Sequence, residues 1–248
     1  MPAAVEVIVV GGSIGGLTAG LVLRDIGCDV HVYERSGSAL DARGAGIAVL
    51  DATIRYLVKR EAIDHSAICS STEWIRYLWP DGSVRYEARH PYRFSSWNTI
   101  YTALLSAFDG DRYHLGREMT SFHSNHGRVE VRFADTSTLR GDLLVCADGI
   151  NSTGRSAIFP EASPAYAGYV AYRGTVAEGE LSSRTFSRLR DAITYQVIPD
   201  SHVLVYPIPG PAGAVTPGTR LMNFVWYRNV EQGARLRQLL AGRDAVPR

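Results

Sequence analysis

The chain is poor in sulfur, carries almost no net charge and contains no internal repeat or low-complexity tract. Its 248 residues include three cysteines and three methionines. Cys28, Cys69 and Cys146 are an odd and widely spaced set, without the paired spacing of a metal centre or a redox motif. Reduced thiols in a cytoplasmic protein are the expectation. Lysine and arginine number 26 against 25 aspartate and glutamate, which leaves a net charge of +1. No basic run is interleaved with aromatics, so no nucleic-acid footprint is present. His123 and His126 are close in sequence, but Asn125 and Gly127 mark a turn there, and no cysteine or carboxylate partner completes a zinc set. Residues 7–23 are apolar and uncharged, yet Glu6 rather than a basic segment precedes them, and four glycines fall within six residues. Neither a signal peptide nor a membrane span fits that pattern. Asn151-Ser152-Thr153 spells a glycosylation sequon, which matters only on a secretory route.

What the chain does have is apolar residue, 46% of the total, enough for the cores of two modest domains. Val7 to Arg35 reads strand, glycine-rich turn, helix, strand, acid: VIVVGGSIGGLTAGLVLRDIG, then CDVHVYER. That is the layout of a dinucleotide-binding βαβ unit. A helix N-terminus can hold a pyrophosphate with free backbone N–H groups and its positive dipole end, provided the turn is small enough for close approach. Gly11 supplies the tight turn, Ser13 stands where the strict pattern has glycine, and Gly16 lets the helix pack on the strand. Gly12, Ile14 and Gly15 complete the cradle. Ile14, Leu17 and Leu21 recur at helical spacing, and Gly27 suits a helix stop. In the second strand Cys28, Val30 and Val32 alternate with Asp29, His31 and Tyr33. Glu34 follows, about 20 residues beyond the turn, where an acid accepts hydrogen bonds from a ribose, with Arg35 beside it. An acid disfavours a 2′-phosphate, so FAD or NAD rather than NADP is expected here.

A second segment, CADGINSTGR, follows the short apolar run Leu143-Leu144-Val145. Asp148 can accept hydrogen bonds, Gly149 permits a turn close to a cofactor, and Arg155 suits an ion pair or a phosphate contact. With this segment the chain resembles the class A flavoprotein monooxygenases, the aromatic hydroxylases built like p-hydroxybenzoate hydroxylase. The resemblance implies that Asp148, Gly149 and Arg155 lie beside the FAD pyrophosphate, and it adds Met119 to the cofactor residues. RGAGIAV, with Gly44, Gly46 and Ile47, looks like the family's loop passing near the flavin. Tyr166–Gly174, Tyr206–Gly210 and Asn223–Val230 are similar to substrate-domain strands of a dihydroxypyridine-hydroxylating subgroup. Many members carry an arginine near the start of the helix after SSWNTI, whereas Tyr101 stands in its place here.

The fold class implied is α/β: a Rossmann-like FAD-binding domain over 1–70 and 98–165, and a mostly antiparallel β-sheet substrate domain over 71–97 and 166–248. A hairpin over 72–89 turning at Pro80-Asp81-Gly82, a helix over Thr99–Phe108 and a helix over Val230–Leu240 are expected. The family's third motif, a Gly-Asp pair after a hydrophobic strand, has no match. Gly110-Asp111 sits in a polar turn and Gly141-Asp142 precedes a strand. The chain is therefore expected to be the N-terminal portion of a longer hydroxylase or the product of a truncated gene. The implied reaction oxygenates an electron-rich aromatic or N-heteroaromatic ring with FAD, NADH or NADPH, and O2, the protein supplying position and water exclusion. Arg173, Tyr206, Asn223 and Tyr227 are the candidate substrate contacts, and a homodimer is the association considered. Two other readings stand beside this one: an NAD-linked dehydrogenase, which should lack the second segment, and a non-catalytic flavin-fold fragment.

Overall fold

A computed structural model describes residues 3–40, 46–60 and 63–241. In chain order the first elements are β1 (Glu6–Val10), α1 (Ile14–Asp25), β2 (Asp29–Tyr33), β3 (Gly46–Ala48), α2 (Asp51–Lys59) and α3 (His65–Ile68). Then come β4 (Ser70–Leu78), β5 (Val84–Ser96), α4 (Trp97–Ala107), β6 (Tyr113–His114), β7 (Met119–Asn125), β8 (Arg128–Phe133), β9 (Thr138–Gly141) and β10 (Leu143–Cys146). The last are α5 (Thr153–Ile158), β11 (Tyr169–Ala177), α6 (Ser183–Leu189), β12 (Ala192–Ile198), β13 (Ser201–Ile208), β14 (Leu221–Asn229) and α7 (Ala234–Ala241). Among the described residues no helix is long and apolar enough to cross a membrane.

The chain divides into two compact units. The first holds residues 1–44, 51–63 and 97–164. Its centre is a parallel sheet in the order β10-β1-β2-β6. Val7, Ile8, Val9 and Val10 are all buried, because both faces of β1 are covered, as parallel sheets require. On one face, Val9 lies against Gly16 of α1 and Val32 against Gly20. On the other, Ile8, Val10 and Tyr33 join Met119, Val129, Val131 and Phe133 of the antiparallel sheet β7-β8-β9. Val30 and Val32 alternate inward as the pattern predicts, but Tyr33 is buried too, stacked on His114 at 4.7 Å.

The second unit holds residues 45–50, 64–96 and 165–248 and is built on a seven-stranded sheet ordered β11-β14-β13-β12-β4-β5-β3. It differs from the expected boundaries at 45–50 and 64–70. Gly46–Ala48 pairs with Phe94–Ser96, and Ser70 pairs with Phe94, so hydrogen bonding draws both segments into this sheet. The sheet is mostly antiparallel, with one parallel pair, β12 on β4. The predicted hairpin is longer than expected, since β5 runs on to Ser96. The predicted helices are shifted, to Trp97–Ala107 and Ala234–Ala241.

Candidate functional site: a nucleotide cradle and a polar sheet face

The first site forms where β1 ends. Gly11 donates its N–H to the Tyr33 carbonyl (2.8 Å), and Ala147 donates to the Val10 carbonyl (2.8 Å). The glycine-rich turn and the Asp148 turn are thereby held side by side at the carboxyl ends of adjacent parallel strands, where open α/β sheets place ligands. Gly11 has φ +97°, and a Cβ there would collide with the Ala147 carbonyl. A Cβ on Gly16 would strike the Gly11 carbonyl. Both glycines are required by backbone approaching backbone. Ser13 is the N-cap of α1, but its side chain makes no capping bond, and the Ser13 N–H finds no partner among the described residues. Free donors at the head of a 12-residue helix suit an anion.

A cavity of about 250 Å3 opens above this turn. Gly11, Ser13, Glu34, Arg35, Met119, Asp148 and Gly149 line it, so seven of the predicted cofactor residues converge on one space. Glu34 is 6% exposed, and its carboxylate is already engaged: Oε2 accepts the Gly12 N–H and Oε1 the Ser36 N–H, both at 2.8 Å. The acid therefore ties the turn to the loop after β2, with its second lone pairs left for a ribose. Asp148 likewise shapes its own turn, accepting from Ser152 Oγ (2.5 Å) and Gly154 N (3.2 Å), while Gly149 takes φ +83°.

Arg155 does not line the cavity. It lies on α5, where its Nη2 donates to the Ile150 carbonyl at 2.5 Å. Gly46 and Ile47 do not line it either, being strand residues of the second unit's sheet, and Gly44 falls outside the described residues. Gly12, Ile14, Gly15 and Gly16 form the floor and helix start rather than the wall. Sequence reasoning missed Leu40, Trp97, Arg117, Glu118 and Thr153 in the lining. Arg117 pairs with Asp135 and lies over the Phe133 ring. Its neighbour Met119 was the signal that could have found it.

The second site is one face of the seven-stranded sheet. Strand register places Tyr206 opposite Asn223, Leu204 opposite Val225, and Arg173 opposite Val225 from the other side. Arg173, Tyr206, Asn223 and Tyr227 thus share a face. Asn223 is fully buried, and its Oδ1 accepts the Gly46 N–H at 3.1 Å. A backbone N–H can only donate, so this bond fixes the amide orientation and leaves Nδ2 buried and without a partner among the described residues. Tyr206 stacks on Phe94 at 4.3 Å, and burial pushes its hydroxyl up to about 12, against the opposing charge of Arg173. It is a neutral phenol at physiological pH. Tyr227 is held in aromatic packing, stacked on His202 at 4.8 Å and edge-on to Tyr169.

Known proteins agree with this layout. A family described as FAD binding domain-like matches residues 166–246. The solved structure of 2,6-dihydroxypyridine-3-hydroxylase from Arthrobacter nicotinovorans superposes with a TM-score of 0.89 at 34% identity, over 97% of this chain and 60% of that one. Over nearly all of its own length the chain is similar in sequence and fold to this hydroxylase. 2,6-Dihydroxypyridine 3-monooxygenase of Paenarthrobacter nicotinovorans is 37% identical over 96% of this chain and 59% of its own length. 3-Amino-4-hydroxybenzoate 2-monooxygenase of Streptomyces cremeus is 29% identical over 83% of this chain and 54% of its own length. The chain thus spans somewhat over half the length of these hydroxylases.

Proposed function

We propose that the chain is the FAD-binding and ring-binding part of a flavin-dependent hydroxylase acting on an electron-rich N-heteroaromatic compound of the dihydroxypyridine kind. The observation that carries the reading is the convergence of the glycine turn, Glu34 and the Asp148-Gly149 turn on one cavity. An NAD-linked dehydrogenase accounts for the first two and leaves the third without a purpose. The donor set fits the cofactor: the Ser13 amide, without a partner among the described residues, for a pyrophosphate, a buried acid for a ribose, and glycines at 11 and 16 where a Cβ would strike backbone. When bound, FAD supplies the redox chemistry that joins NADH or NADPH oxidation to O2 activation.

The protein's own contribution lies on the sheet face. Hydroxy-heteroaromatic rings react faster as oxyanions. The Asn223 amide can donate to an oxo or oxyanion group, the Tyr206 phenol stays protonated and can donate as well, and Arg173 adds positive charge nearby. Tyr227 packs the wall of this face. A cytoplasmic location suits the three unpaired thiols. A homodimer is supported by an aromatic patch of Tyr172, Phe224 and Trp226 on the sheet's opposite face, 36–38% exposed, and sedimentation velocity checks it.

The test is a difference spectrum of the FAD-loaded chain titrated with 2,6-dihydroxypyridine. A saturable shift of the flavin bands, weakened roughly tenfold in Asn223→Leu, is expected, about the effect of one buried hydrogen bond. A flavin spectrum that ignores the ring compound refutes the substrate class.

A further inference from the structure

Gly12 is gripped at both ends of its residue. Its N–H donates to Glu34, and its carbonyl accepts from Tyr113 Oη at 2.9 Å. Tyr113 Oη lies 3.3 Å from Tyr101 Oη, and Tyr101 Oη accepts the Leu40 N–H at 3.2 Å. Counting protons orders the chain. A phenol has one proton, and Tyr113 gives its own to Gly12, so within the tyrosine pair Tyr113 must accept and Tyr101 must donate. The series runs one way: Leu40 N–H, Tyr101 O–H, Tyr113 O–H, Gly12 C=O. Bonds aligned in this manner polarise one another.

The Gly12 carbonyl belongs to the same peptide as the N–H of Ser13, a cavity-lining residue whose amide has no partner among the described residues. A hydrogen bond accepted by the carbonyl draws electron density from the peptide nitrogen and makes that N–H a stronger donor. Space is also set by the tyrosine, since a Cβ on Gly12 would strike its hydroxyl. Tyr101 is 1% exposed and stacked on Trp97 at 4.8 Å, so the relay is rigid at its root. Burial raises the Tyr113 hydroxyl well above the ordinary tyrosine value and keeps its proton in place.

We propose that Tyr113, backed by Tyr101, is a positioning residue for the nucleotide pyrophosphate, acting through the Gly12–Ser13 peptide. This rests on the flavin-nucleotide reading above. The test compares wild type, Tyr113→Phe and Tyr101→Phe by equilibrium dialysis with ADP, adenosine and FAD, and by ligand-free melting. Tyr113→Phe is expected to lose about three- to tenfold in ADP and FAD affinity, the size of one hydrogen bond, with adenosine binding and melting temperature near wild type. Tyr101→Phe should show a smaller loss of the same kind, and it carries the test if Tyr113→Phe does not fold. Unchanged ADP affinity in both variants, or equal losses for ADP and adenosine, overturns the proposal while leaving the flavin reading intact. ADP binding without FAD binding in wild type refutes the flavin reading alone, and the ADP comparison still decides the tyrosines. A wild type that binds neither refutes both.

Discussion

Glu34 was found from its distance beyond the turn, but its engagement was not. Spacing places an acid at the end of β2, whereas its two backbone partners, Gly12 and Ser36, depend on how the loops fold back. Tyr113 left no signal at all: it sits in a two-residue strand, too short for any period to show. Asp148 and Gly149 were legible because a turn needing positive φ beside an acceptor has few spellings. Arg155, placed beside a phosphate by the resemblance of its segment, donates Nη2 to the carbonyl of Ile150 in its own turn, a bond that spacing does not reveal. At this scale Gly11→Ala is the sharpest substitution. Its new methyl must enter the Ala147 carbonyl at φ +97°. The variant is expected to lose flavin retention on gel filtration and to melt well below wild type. A variant with bound flavin and normal melting would show that the turn has room the geometry denies.

Among elements, β1-α1-β2 was plain from sequence because three signals agree there, namely alternation, helical spacing and glycine at the junctions. The seven-stranded sheet was not. β12 lies parallel to β4, and β3 joins the sheet's edge by pairing with β5 across more than 40 residues of sequence, pairings that no local pattern encodes. Two electrostatic features, one buried and one partly exposed, govern how these elements hold. Glu178 and Arg220 are 0% and 3% exposed at the side chain and form a bidentate pair, with Arg220 also bonding the Arg190 carbonyl. Glu178→Ala strands a buried guanidinium and is expected to cost about 3–5 kcal/mol by denaturant unfolding. On β6, His114 Nε2 lies 3.0 Å from His31 Nδ1, with Asp29, Arg112 and Arg117 around the pair. Burial first, then His31 and Arg117, hold the His114 imidazole below its ordinary 6.5. The folded state therefore resists protonation. Stability is complete above pH 6.5 and is lost as pH falls through the lower folded value. The His114 carbonyl also accepts the Glu34 N–H at 2.8 Å, which ties β6 to the acid at the end of β2. Melting temperature should drop between pH 7.5 and 5.5 in wild type and flatten in His114→Gln. An equal slope in both would assign the drop to other groups.

As a whole molecule, the chain carries the glycine-rich turn with its cavity on one compact unit and the Arg173, Tyr206, Asn223 and Tyr227 face on the other. Its likeness to the dihydroxypyridine hydroxylases runs along 96% of its own length and 59% of theirs. The fold class and the glycine-rich turn were readable because close approach of backbone to backbone constrains residue size at fixed positions. The substrate was less readable, because Tyr and Asn on a sheet face serve packing and recognition with the same spelling. Central to the account is the claim that the turn, Glu34 and the Asp148 loop hold FAD. The direct measurement is the absorption spectrum of the purified 248-residue chain after incubation with FAD and gel filtration. Oxidised-flavin bands co-eluting with the protein, and absent in Gly11→Ala, are the predicted result. A folded but colourless wild type would contradict it.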